Sequence, residues 1–138
     1  MVVFRYLVLF TTAVLFTFGC SSRPVKSYDL LKIFRSAGEQ ALSEGIKNYE
    51  DGKYKEASQN LKTALSKGLS NKNDQVKAHK YLAFISCVSG QEKQCRGEFK
   101  KVCEIDPNFE LEPAEKGHPI WGPVFLSVKS GTATGKTR

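Results

Sequence analysis

Apolar residues fall along this chain in two regimes. From Tyr6 to Phe18 they are nearly continuous, broken only by small or hydroxyl residues. That run is shorter than the roughly 20 residues a bilayer core demands, and it stops at Gly19-Cys20. Residues 1–19 therefore read as a cleavable signal peptide with Arg5 in its short n-region. From Asp29 onward apolar residues recur every three or four positions, the period of a helix. Leu30, Phe34, Ala37, Ala41, Leu42, Ile46 and Tyr49 predict a helix over Asp29–Asp51, begun or capped by Asp29 and ended by Gly52. Tyr54, Ala57, Leu61, Ala64 and Leu65 predict a second over Tyr54–Lys67, ended by Gly68. Val76, Leu82, Ala83, Phe84, Ile85 and Val88 predict a third over Val76–Ser89, with Asn73 or Asp74 as N-cap and Gly90 as stop. Cys95, Phe99, Val102 and Ile105 predict a fourth over Gln91–Ile105, closed by Asp106-Pro107 because the residue before proline resists helix. No stretch alternates strictly over six residues, so the expected fold class is all-α.

The segment 109–129 is different. Prolines interrupt its first part, and Gly122-Pro123 predicts a helix start, proline suiting the first helical position. Val124, Phe125 and Val128 would then face inward, and Trp121 would anchor the segment as a cap on the helices before it. Ser130–Arg138 is rich in Gly, Thr and Lys and is expected to be disordered. The chain is long enough for one domain. The expected organisation is a signal peptide over 1–19, a modified Cys and linker over 20–28, a helical domain over 29–129 and a tail over 130–138.

Two helical hairpins in succession raise the question of an internal repeat. Gly45 and Ala83, Gly52 and Gly90, Ala57 and Cys95, Leu61 and Phe99, and Ala64 and Val102 are all separated by 38. On these residues, together with Tyr54, Leu82 and Pro107, the stretch 38–108 resembles the tetratricopeptide repeat. The period there is about 34, and an insertion of four in the Ser70–Asn73 loop accounts for the difference. Glu44, Asn48 and Cys95 depart from the family's preferences, and the second unit lacks a counterpart of Tyr54. The resemblance implies two helix-turn-helix units plus a capping helix. It further implies that a protein or peptide binds a concave face carrying Leu42, Ile46, Tyr49, Lys77, Lys80 and Phe84, with Glu39, Glu50 and Cys87 beside them. The competing expectation is that the C-terminal segment fills that face and several of these residues are core.

Thr17-Phe18-Gly19-Cys20 resembles a bacterial lipobox, although Thr17 stands where Leu is usual and Phe18 is bulky. The resemblance implies cleavage after Gly19 and acylation of Cys20, with palmitate as the expected kind of chain. Ser21, where an Asp would favour inner-membrane retention, then implies an outer-membrane anchor facing the periplasm. The linker Ser21–Ser27 fits a tether. Leu82-Ala83-Phe84-Ile85, Cys87, Cys95, Glu98-Phe99, Asp106-Pro107 and the run Gly117-His118-Pro119-Ile120-Trp121-Gly122-Pro123-Val124-Phe125 resemble small lipoproteins associated with bacterial type VI secretion gene clusters. That likeness implies an accessory envelope protein.

An exported chain keeps disulfides, and Cys87, Cys95 and Cys103 allow one bridge with one thiol left over. Cys87 lies a turn before the end of the third helix and Cys95 a turn into the fourth, so an antiparallel hairpin sets them opposite each other. Cys95 and Cys103 lie about 12 Å apart along one helix. The expected bridge is Cys87–Cys95, the alternative being that all three are reduced core residues.

The formal charge of +7 is well mixed along the helices and reads as a solvated surface. Lys93, Arg96, Lys100 and Lys101 share one helix face, but Glu92 and Glu98 interrupt them and no aromatic series accompanies them, so no nucleic acid is expected. Ser130–Thr137 looks like a phosphate-binding loop yet has three residues between its glycines instead of four. His79 and His118 have no cysteine pair spaced for zinc. No nucleophile stands beside a base. The expectation is a non-enzymatic chain with no cofactor, no metal and no small-molecule substrate, held to the membrane by its N-terminal lipid. Its partner would be another envelope protein or peptide. The alternatives are a pilus or outer-membrane assembly lipoprotein, or an envelope enzyme or cell-wall-binding module.

Overall fold

The computed structural model describes residues 27–134, with side chains over 37–132. The signal peptide, Cys20 and the start of the linker lie outside the described residues, as do the last four residues of the tail. Among the described residues the fold is all-helical: α1 Ser27–Glu50, α2 Tyr54–Lys67, α3 Lys72–Val88, α4 Glu92–Ile105, α5 Pro113–Lys116 and α6 Trp121–Thr134. The helical period seen in the sequence is the physical reason, since each helix turns its apolar stripe inward.

α1 pairs with α2 and α3 pairs with α4. α3 then packs on α2 and more lightly on α1, and α6 packs on α4 and more lightly on α3. The 38-residue repeat holds down to single hydrogen bonds. In the first hairpin turn Gly52 N donates to Tyr49 O at 3.0 Å and Lys53 N to Asn48 O at 2.8 Å. In the second, Gly90 N donates to Cys87 O at 3.1 Å and Gln91 N to Ser86 O at 2.8 Å. Both glycines take a left-handed conformation, φ 75° and 71°, which glycine alone adopts at no steric cost. The residues after them, Lys53 and Gln91, share φ −84° ψ 66° and φ −89° ψ 65°. The repeat-related residues Ala57 and Cys95, Leu61 and Phe99, and Ala64 and Val102 have no exposed surface.

The core has two parts. Ala41, Leu42, Ala57, Leu61, Ala64 and Leu82 belong to the cluster between the first hairpin and α3. Phe84, Cys95, Phe99, Leu111, Trp121 and Phe125 belong to the cluster between the second hairpin and the C-terminal segment. Tyr49 and Tyr81 pack against both. In the first cluster Gly45 lets α1 approach α2: a Cβ there would come within 2.8 Å of the Leu61 side chain.

The larger departures from the sequence reading concern α1, α3, α5 and α6. α1 begins at Ser27, two residues into the expected linker. α3 begins at Lys72, a turn before Val76, because Asn71 caps it, its Oδ1 accepting from Asn73 N at 2.9 Å; Asn73 and Asp74 lie inside the helix. α5 was not foreseen. It starts at Pro113 behind a capping box formed by Glu112 and Glu115. α6 starts at Trp121, ahead of Gly122-Pro123, and runs to Thr134, so Ser130–Thr134 is helix where a disordered tail was expected. Tertiary contacts override composition there. Lys129 Nζ donates to Phe109 O at 2.6 Å and also bonds Glu110, which pins the second half of the helix.

Candidate functional site

The face that the repeat resemblance assigned to a partner lies on α1 and α3, and a row of aromatic rings crosses it. Tyr54 meets Tyr49 at 5.6 Å between centroids, and Tyr49 meets Tyr81 at 4.9 Å. Tyr81 meets Phe84 at 6.0 Å, Phe84 stacks on Trp121 at 4.5 Å, and Trp121 stacks on His118 at 3.2 Å. The row thus passes from the first hairpin to the C-terminal segment without a break.

Glu115 fastens that segment down. Its Oε1 accepts from Lys80 Nζ at 2.5 Å, its Oε2 accepts from Glu112 N at 3.2 Å, and its carbonyl accepts from Trp121 Nε1 at 2.9 Å. The Lys80 ammonium also lies 5.0 Å and 5.5 Å from the ring centres of Tyr81 and Phe84, where the ring faces attract a cation. Burial, then the neighbouring Tyr54, Tyr81 and Glu115, push the Tyr49 hydroxyl up to about 12. The Tyr49 hydroxyl is therefore neutral at physiological pH.

This arrangement sorts the six expected partner residues. Leu42 and Phe84 are 5% and 2% exposed and belong to the core, so neither lies on an open face. Lys80 is spent on Glu115. Ile46 and Tyr49 are partly buried, and Lys77 is exposed, 3.5 Å from Asp74. Trp121 and Phe125 sit where a cap requires, 8% and 0% exposed. Phe125 packs edge-on against Phe99 at 5.3 Å and Phe109 at 5.9 Å. The C-terminal segment covers Phe84 and engages Lys80, while Ile46 and Tyr49 stay partly buried and Tyr54 and Lys77 exposed. The sequence reading missed Tyr81, Glu115 and His118. The Glu112-Pro113…Glu115 spacing was the available signal for Glu115.

Cys87 and Cys95 are within disulfide-bonding distance, their Cα atoms 5.0 Å apart, inside the range a bridge requires. Cys103 is the free cysteine among the described residues. It is buried, and burial pushes its thiol up, so it is a poor nucleophile. On the opposite side of the α3–α4 hairpin, His79 Nδ1 lies 2.6 Å from Glu98 Oε2, and Lys101 Nζ donates to Glu98 Oε1 at 2.9 Å. Burial would raise the Glu98 carboxyl, but the hydrogen bonds and charges of His79 and Lys101 outweigh it and hold it below the usual carboxylate range.

Two grooves flank these helices. A polar one of about 580 Å³ lies between α2 and α4 over α3, and a mainly apolar one of about 900 Å³ lies between α4 and α6. Among the described residues no group of three His, Cys, Asp or Glu side chains is placed to hold a metal ion, and no helix is long and apolar enough to cross a membrane. No protein-family model, curated protein or solved structure matches the chain.

Proposed function

We propose that this chain is a non-enzymatic adaptor: a lipoprotein, anchored through Cys20 to the outer membrane and facing the periplasm, that binds another envelope protein within a type VI-like secretion machine. The observation that carries the adaptor reading is the strict 38-residue register of the two hairpins. A repeated helical scaffold makes grooves and faces at fixed spacing, which suits protein recognition. The polar side chains support the same reading. Glu98 is spent on His79 and Lys101, and Glu115 on Lys80, so these groups hold helices together and are not poised for proton transfer. The partly buried Ile46 and Tyr49 and the exposed Tyr54 and Lys77 offer polar and apolar groups of the sort that partner binding favours.

The anchor is tested by Cys20→Ala. The variant is expected to lose the mass of the lipid and move from the membrane fraction to the soluble periplasm. Unchanged mass and unchanged fractionation would overturn the anchor. The adaptor role is tested by Tyr49→Ala, expected to abolish crosslinking to an envelope partner. Retained crosslinking in the variant would remove this face from the proposal.

A further inference from the structure

The repeat gives the α4–α6 groove a meaning. Across the smaller groove, Ser58, Gln59 and Lys62 of α2 face Gln91, Gln94 and Glu98 of α4. Advancing the α2 residues by 38 leads to Arg96, Gly97 and Lys100 of α4. These line the larger groove, whose other wall is α6 with Ser127, Val128 and Lys129. In the first unit this face looks across at a helix. In the second, α6 packs on α4 as α3 packs on α2, and no described helix stands in the place that α4 takes in the first.

Gly97 points the same way. Glycine inside a helix weakens it and calls for a reason. Gly38 and Gly45 have one, because a Cβ would come within 2.6 Å of Gly68 O and 2.8 Å of Leu61. Gly122 has one too, since a Cβ would collide with Lys116 O. A Cβ at Gly97 would meet nothing within 4 Å. Packing among the described residues gives no reason for it, and it leaves open space over α4 for a group arriving from outside. At the rim of the groove Arg96 and Lys100 stand with Glu104, while Lys129 is held by Phe109 O and Glu110. Arg96 pairs with the exposed Glu92 at 3.1 Å and Lys100 with the exposed Glu104 at 3.8 Å. Such pairs are weak and exchange easily for others.

We propose that the α4–α6 groove seats an amphipathic helix of another protein, its apolar face over Gly97, Cys103 and Val128 and its acidic edge against Arg96 and Lys100. The proposal rests on the adaptor reading but concerns a different surface from the Tyr49 face.

The test is fluorescence anisotropy with two labelled 14-residue helical peptides, alike in a leucine face and flanked by Glu in one and by Lys in the other. The Glu peptide is expected to bind the full chain saturably, and the Lys peptide not to bind. Gly97→Leu and Lys100→Glu are each expected to weaken binding at least ten-fold without lowering Tm. Tyr49→Ala is expected to leave it unchanged, which separates failure here from failure of the envelope association. No saturable binding, equal binding of both peptides, or full binding by both groove variants would overturn the proposal. A self-associated chain in sedimentation that Gly97→Leu dissociates would assign the groove to a second copy, and overturn it as well.

Discussion

Ala57 is fully buried in the cluster that joins the first hairpin to α3, and its repeat partner Cys95 is fully buried in the second. Small side chains at these two positions let paired helices close to contact, so their size matters as much as their polarity. Ala57→Leu is expected to overpack that contact and cost about 1–3 kcal/mol, read as a lower midpoint in chemical denaturation. An unchanged midpoint would refute the packing register. Glu98 carries a different kind of stability. Its carboxyl is held below its unfolded value, so the hydrogen bonds that the carboxylate makes with His79 and Lys101 contribute fully above the ordinary glutamate pKa of about 4.3, and that contribution is lost as pH falls through the lowered value. Tm of the wild type is expected to fall across that acid window more steeply than Tm of Glu98→Gln. Parallel curves would remove Glu98 as the cause.

The hairpin is the unit in which the cysteines make sense. α3 and α4 reverse at Gly90, which brings Cys87 opposite Cys95 while Cys103, two turns further along α4, lines the α4–α6 groove. Closing so short a loop is expected to stabilise by roughly 2–3 kcal/mol, on a chain-entropy argument. Peptide mapping of non-reduced protein from an oxidising compartment should recover Cys87 and Cys95 in one linked fragment and Cys103 as a free thiol. Free thiols at both Cys87 and Cys95 would exclude the bridge.

At the scale of the molecule, two hairpins make a short array, and repeat arrays need several units or caps to bury their ends. The C-terminal segment supplies the cap here, and Trp121 holds it by stacking on Phe84 and donating to Glu115 O. Trp121→Ala is expected to cost about 3–5 kcal/mol. Wild-type Trp fluorescence should be blue-shifted and shielded from acrylamide. A variant as stable as wild type, with a quencher-accessible tryptophan in the parent, would make Trp121 a contact for a partner and not a fastening.

Helix class, the two hairpins, their 38-residue register and the opposed cysteines were legible along the chain. Each depends on short-range spacing: a 3.6-residue period, a glycine at each reversal, and identical offsets in the two units. The start of α3 was not legible, because Lys72-Asn73-Asp74-Gln75 has no apolar member to mark a period. The end of α6 was not, because Ser130–Thr134 is helical through the anchorage of Lys129 to a loop 20 residues away. The fate of the expected partner face was not legible either. Leu42, Phe84 and Lys80 have the side chains of a binding surface as well as of a core, and periodicity cannot tell which. That distinction depends on what covers them, and Glu115 and Trp121 reach Lys80 and Phe84 from more than 30 residues along the chain. Local spacing determined which residues face inward; only the closing of the C-terminal segment over α3 decided which of them remain in reach of a partner.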